Sequence, residues 1–132
     1  MKLAIPVVCG RVSSAFDFAR HLLLVDYTDG REVSRTELPL EEELPLNRTR
    51  RLLVLGVNVL VCGAISRFMA EHVVSLGIDI IPFVSGSVPE VLDAYLQGDL
   101  ESTRFLMAGS TLKDREEWTL RHQIGAAVPS MH

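Results

Sequence analysis

Cysteine is scarce in this chain: Cys9 and Cys62 are the only two in 132 residues. In a chain read as cytoplasmic, two thiols do not suggest a structural disulfide, and they read either as small buried residues or as metal or redox ligands. Long apolar runs are missing as well. The longest, Leu52 to Ile65, is broken by Gly56, Asn58 and Gly63 and falls short of the ~18 residues expected of a membrane span. Only Lys2 precedes the apolar run Leu3–Cys9, too little for an export signal, so the expected location is the cytoplasm. A basic surface is also lacking. The formal net charge is −4, and the single local cluster, Arg48, Arg50 and Arg51, reads as a solvated helix face, so neither nucleic acid nor a membrane is an expected partner. There is no GxGxxG, no P-loop and no nucleophile elbow.

What is present is the pattern of one α/β domain. At 132 residues and 48% apolar content, the chain can bury a core without disulfides or a structural metal. Met1–Val8 is a continuous apolar run closed by Cys9-Gly10, as in a strand buried on both faces, although Pro6 within it lacks an N–H. Arg20–Tyr27, the turn Thr28-Asp29-Gly30 and the half-polar Arg31–Leu38 predict a hairpin with an edge strand. Pro39–Pro45 reads as a loop, and Asn47 is placed to cap a short helix that stops at Gly56. Val57–Val61 predicts a strand, and Ile65–Leu76 a helix with Phe68, Met69, Val73 and Leu76 on one face. Ile78–Val84 predicts a further strand, and Ser87-Val88-Pro89-Glu90 opens a helix with a capping-box pattern. Strand-helix-strand-helix implies a parallel pair with a right-handed crossover. Beyond Gly98 the pattern weakens, although Thr111–His122, with Trp118, suits a helix before a frayed tail.

The opening MKLAIPVV, the segment RVSSAFDFARHLLLVD and above all GVNVLVCGAISRFMAEHVVSLGIDIIPFVSGSVPEVLDAYLQGDL resemble the dinitrogenase iron-molybdenum cofactor biosynthesis family. That family includes NifX-like proteins, the C-terminal part of NifB, NafY and the molybdenum-copper orange protein. The resemblance covers residues 1–100, leaving 101–132 as a C-terminal extension. It implies a ribonuclease H-like fold with a five-stranded mixed sheet in the order 3-2-1-4-5 and helices on its faces. It also implies a role in binding or passing on iron-molybdenum or related metal-sulfur clusters, alongside metal-cofactor assembly or recipient proteins, and no catalysis. A nuclease of that fold needs a carboxylate on the first strand, which here carries Leu3, Ala4, Ile5 and Val7 and no acid. One departure stands out. Where the family commonly reads Ser-x-His-Phe-Gly, this chain reads Ser13-Ser14-Ala15-Phe16-Asp17, with alanine in place of a plausible cluster ligand.

With that strand order, Val7-Val8-Cys9-Gly10 aligns with Leu60-Val61-Cys62-Gly63, and two thiols at neighbouring strand ends about 4.8 Å apart would converge at the carboxyl edge of the sheet. Soft thiolates suit copper(I), zinc and iron-sulfur species. Two inert buried cysteines fit the same residues. Ser85-Gly86-Ser87 and Gly63-Ala64-Ile65-Ser66 both lead from a strand into a helix N-terminus, where free N–H groups accept an anion, with Ser13 and Ser14 facing them. Ordinary caps account for the same serines. His72 reads as a satisfied helix histidine, and His122, Met131 and His132 as tail residues. The expected function is a small accessory protein for an iron-molybdenum or molybdenum-copper sulfide cluster or its precursor, capable of homo-oligomerising. The alternative is a regulatory module of the same fold that acts through protein partners without a metal.

Overall fold

The computed structural model describes residues 1–100 and 103–107. At its centre lies β1, Lys2–Val8, whose Leu3, Ile5 and Val7 belong to one buried cluster while Ala4 belongs to another on the opposite face. A strand alternates its side chains, so a run that is apolar at every position must be covered on both sides. The chain turns at Cys9-Gly10 into β2, Arg11–Val12, which pairs antiparallel with the end of β1. β3 (His21–Thr28) and β4 (Arg31–Pro39) form the hairpin around Asp29-Gly30, and β3 pairs antiparallel with β1. On the other side of β1, β5 (Val59–Val61) is parallel to it, and β6 (Asp79–Ile81) is parallel to β5. The path across the sheet is β4-β3-β1-β5-β6, and β2 raises the strand count to six, one more than expected.

Three helices cover the two faces. Leu52 of α1 (Pro45–Val54) and Met69, Ala70 and Val73 of α2 (Arg67–Ser75) pack with Ala4, Leu22, Leu60 and Ile80. Val88, Val91 and Leu92 of α3 (Val88–Leu96) pack with Leu3, Ile5, Leu23, Val25 and Val61. Side chains of this size contribute about 1.5–3 kcal/mol each when fully buried, so the two clusters dominate the stability of the layers. Tyr95 of α3 meets Tyr27 of β3 edge to face, with ring centroids 5.4 Å apart and the two hydroxyls hydrogen-bonded. The Thr49 hydroxyl and His72 Nδ1 join α1 to α2 through a second side-chain hydrogen bond, which satisfies the histidine.

Several boundaries differ from expectation. Leu44, not Asn47, precedes the first helical residue of α1, because Pro45 brings a preset φ and a missing N–H to the position that tolerates both. Phe68 is 59% exposed and leaves the buried face of its helix to Met69, Ala70 and Val73. β6 stops at Ile81, ahead of Pro82, rather than running to Val84. The region beyond is held differently: Val84 bridges Leu106, and Phe105 is buried in the cluster beneath α3. The helix expected over 111–122 and the tail residues His122, Met131 and His132 lie outside the described residues. No helix of the described residues is long and apolar enough to cross a membrane.

Pro6 fits its strand because of where the neighbouring ladder stops. The last paired residues of β1 and β5 are Ala4 and Leu60, and beyond them the Pro6 carbonyl accepts from the Ser13 N–H at 2.8 Å. A proline donates nothing to a partner strand, and here the β5 ladder has already ended before Pro6 would have to donate to it, while β3 still runs opposite with Leu22 across from Pro6. Segment 13–16 then lies against the continuation of β5: Ala64 N–H donates to Ser14 O and Phe16 N–H to Ala64 O, each at 2.8 Å. Gly63 permits this approach, since a Cβ there would stand 2.7 Å from both the Ser13 and Ser14 carbonyl oxygens. Backbone cannot yield as a flexible side chain can, so Gly63→Ala should lower stability by roughly 1–3 kcal/mol. Urea denaturation checks this: the midpoint should fall with little change in slope, and an unchanged midpoint would show that the segment does not sit this close.

Candidate functional site

The carboxyl edge of the parallel strands gathers every residue singled out as a candidate, but not in the expected register. Leu3 pairs with Val59 and Ala4 with Leu60, which puts Cys62 level with Pro6 and three residues short of Cys9. The side-by-side thiols are therefore corrected: at about 3.3 Å per residue the offset is about 10 Å along the strand. Their surroundings differ just as much. Cys62 is fully buried between the sheet and α2, where loss of water pushes its thiol well above the usual range and the Asp17 carboxylate pushes it further. Both effects hold it as a neutral thiol. Cys9 is exposed on the β1–β2 turn, with φ +50° followed by Gly10 at φ +75°.

The three loops do meet, and they meet backbone to backbone. Val12 N–H donates to Gly86 O at 3.0 Å, Arg11 bridges Ser87, and Val88 N–H donates to Gly10 O at 2.9 Å. Ser85 N–H donates to Phe105 O at 2.8 Å. These bonds use amide groups that an incoming anion would need. The N-termini of α2 and α3 also face carboxylates of the chain itself. At α2, Asp17 Oδ1 accepts from Ser66 N–H at 2.9 Å, while Ser66 Oγ caps Met69 N–H. At α3, Ser87 Oγ donates to Glu90 Oε1 at 2.9 Å instead of capping a backbone N–H, and Arg104 holds the other Glu90 oxygen. The Arg104 and Ser87 contacts hold the Glu90 carboxyl below its ordinary range. The expected capping box is thus replaced by a side-chain chain of Ser87, Glu90 and Arg104.

The remaining candidates take structural positions. Ser13 is buried and its hydroxyl donates to Ala15 O, whereas Ser14 is exposed. Gly86 holds φ +141°, and a Cβ there would press on Val91 at 3.2 Å. Ala15 bridges Ala64 through its backbone, so the position that carries a histidine in the family motif lies at the centre of this edge. Among the described residues, no three of His, Cys, Asp and Glu lie close enough together to hold a metal ion.

Two residues at this edge escaped the sequence reading. Asp17 was legible as a departure from the family motif, where it replaces a glycine, but its bond to Ser66 depends on a chain separation of 49 residues. Arg48, expected on a solvated helix face, is 6% exposed and donates through Nη1 to Phe16 O at 3.3 Å. Arg50 is exposed and Arg51 half-buried, so the three-arginine cluster is only partly a solvated face.

Comparison with known proteins completes the picture. The chain has the fold of PH0822, with a TM-score of 0.70 at 24% identity over 74% of this chain and 92% of that one. The Methanocaldococcus jannaschii protein MJ0327 aligns with a TM-score of 0.64 at 21% identity, covering 75% of this chain and 90% of its own. A Thermotoga protein, TM1290, provisionally described as a NifB protein, aligns at 0.60 and 21% identity over 74% and 89%. At these identities the likeness is one of fold. No curated protein matches the chain. The family model described as dinitrogenase iron-molybdenum cofactor matches residues 1–98, nearly three quarters of the sequence, and the chain belongs to that family.

Proposed function

We propose that this protein is a small accessory protein that binds or carries a metal-sulfur cofactor of the iron-molybdenum type, or its precursor, and that Cys9 is the thiol that meets it. The observation that carries this reading is the exposed Cys9, held in the left-handed region at the carboxyl edge of a family-type sheet. A non-glycine residue in that conformation costs about 1–2 kcal/mol, and such costs gather at functional sites. A cluster brings its own sulfide, so one protein thiolate suffices for contact when a delivering or receiving protein supplies the other ligands. The ribonuclease H-like description of the fold and a cytoplasmic location go with this reading. The protein holds or hands over a cluster and transforms no substrate.

A second reading follows from Asp17. Its carboxylate occupies the N-terminus of α2, opposes ionisation of Cys62 and stands two residues from Ala15, where the family histidine is missing. A chain that places its own anion there suits a regulatory module that acts through protein partners without a metal.

Thiol titration comes first. With Ellman's reagent the native protein should show one thiol reacting promptly, lost in Cys9→Ser, and a second that reacts only in denaturant; two fast thiols would contradict the burial of Cys62. Anaerobic incubation with iron, sulfide and molybdate should then give a visible absorption band that Cys9→Ser reduces at least several-fold and Cys62→Ser leaves largely intact. A colourless wild-type protein beside a coloured Ala15→His/Asp17→Gly variant would favour the second reading and end the first.

A further inference from the structure

On the far side of the Phe16–Phe18 turn lies an open hollow of about 720 Å³. Its floor is Arg48, a guanidinium withdrawn from water which, among the described residues, has one hydrogen bond, to Phe16 O, and no partner for its buried Nε. Among the described residues no carboxylate comes within ion-pair distance of it. Burial lowers the Arg48 pKa, with Asp17 and Glu42 opposing that shift from a distance, yet a guanidinium stays charged in a protein. A buried charge without a hydrogen-bonded counter-ion is costly, because the solvation it loses is not replaced. The deficit is local: among the described residues, the buried side-chain N and O atoms without partners are Glu42 Oε1, Arg48 Nε and Arg51 Nε, all within ten residues of this wall.

The rest of the lining narrows the class of ligand. Arg20 adds a second guanidinium, while Asp17, Glu41 and Glu43 bring three carboxylates to the same hollow. A simple anion attracted by Arg48 would meet those carboxylates, and a simple cation would leave Arg48 uncompensated. A molecule carrying both charges answers both sides. Phe18 and Pro39 supply an apolar wall over the buried Leu40, and among the described residues Phe18 is left 82% exposed.

We propose that this hollow binds a small zwitterion, an α-amino acid with an apolar side chain, its carboxylate toward Arg48 and Arg20, its ammonium toward Glu41 and Glu43, and its side chain on Phe18 and Pro39. The site is separate from the thiol-bearing turn and stands or falls independently of the cofactor reading.

The test is an NMR titration of the full chain with L-leucine, beside isovalerate, which keeps the side chain and carboxylate, and isoamylamine, which keeps the side chain and ammonium. Leucine should shift the Phe18, His21 and Leu40 amides saturably, and the two single-charge analogues should bind at least ten-fold more weakly. Arg48→Met, a change of buried charge to an apolar side chain of similar length, should weaken leucine binding at least ten-fold, and Phe18→Ala several-fold. Because Phe18 is exposed and Arg20 lies at the surface, Phe18→Ala and Arg20→Ala carry the test if Arg48→Met fails to fold. No saturable shift with leucine, isovalerate binding as tightly as leucine, or undiminished binding by the folded variants would each overturn the proposal.

Discussion

The arrangement of this molecule turns on one close approach, that of the Ser13 and Ser14 carbonyls to the Cα of Gly63. The β1–β5 ladder ends at Ala4 and Leu60, and Pro6 has no N–H with which to extend it. Into the space beyond, the chain returns as β2 and segment 13–16, hydrogen-bonded to Pro6 on one side and to Ala64 on the other. Everything nearby depends on that return. Phe16 is driven into the core, its carbonyl becomes the acceptor for Arg48, and Asp17 is delivered to the N-terminus of α2.

This explains why the carboxyl edge differs from an open α/β crevice. At a switch between strand directions, ligands ordinarily use free loop amides and helix N-termini. Here the first loop supplies carbonyls to Ala64 and Val88, and Asp17 and Glu90 bring negative charge to the two helix starts. An entering polyanion would have to displace bonds of comparable strength and face two carboxylates besides. The exposed thiol at Cys9 escapes this closure because it sits on the outer turn, before the chain folds back.

The parts that were legible in the sequence are those governed by local rules. The two-sided apolar run of β1, the Asp29-Gly30 hairpin, and the glycines after α1 and α2 each follow from period or turn chemistry within a few residues. What was not legible depends on contacts between distant segments. Two residues of β2 carry no period, and the offset of three between Cys9 and Cys62 is set by where a neighbouring ladder ends, not by the matching Cys-Gly pairs. Arg48 misled for a related reason: arginine is mostly exposed, and only the position of Phe16, 32 residues away, shows that this one is not.

The same insertion also concentrates strain. Of the three non-glycine residues with positive φ among the described residues, Asp29 belongs to a hairpin turn, where aspartate tolerates the conformation. The other two border the returning segment: Cys9 immediately precedes it, and Phe83, at φ +62°, donates to the carbonyl of Gly63 and accepts from Met107. For residues of these types the left-handed region costs about 1–2 kcal/mol each. A net backbone hydrogen bond returns about 0.5–1.5 kcal/mol, so two or three of the bonds that seat the segment are offset by the strain at its borders. Add an undercompensated guanidinium beneath Phe16, and segment 11–17 is held by a smaller margin than its bonds suggest. Neutralising Arg48 would relieve the uncompensated charge beneath Phe16, and competing for Gly63 or Ala64 would loosen the segment, so its margin is set from both of its sides.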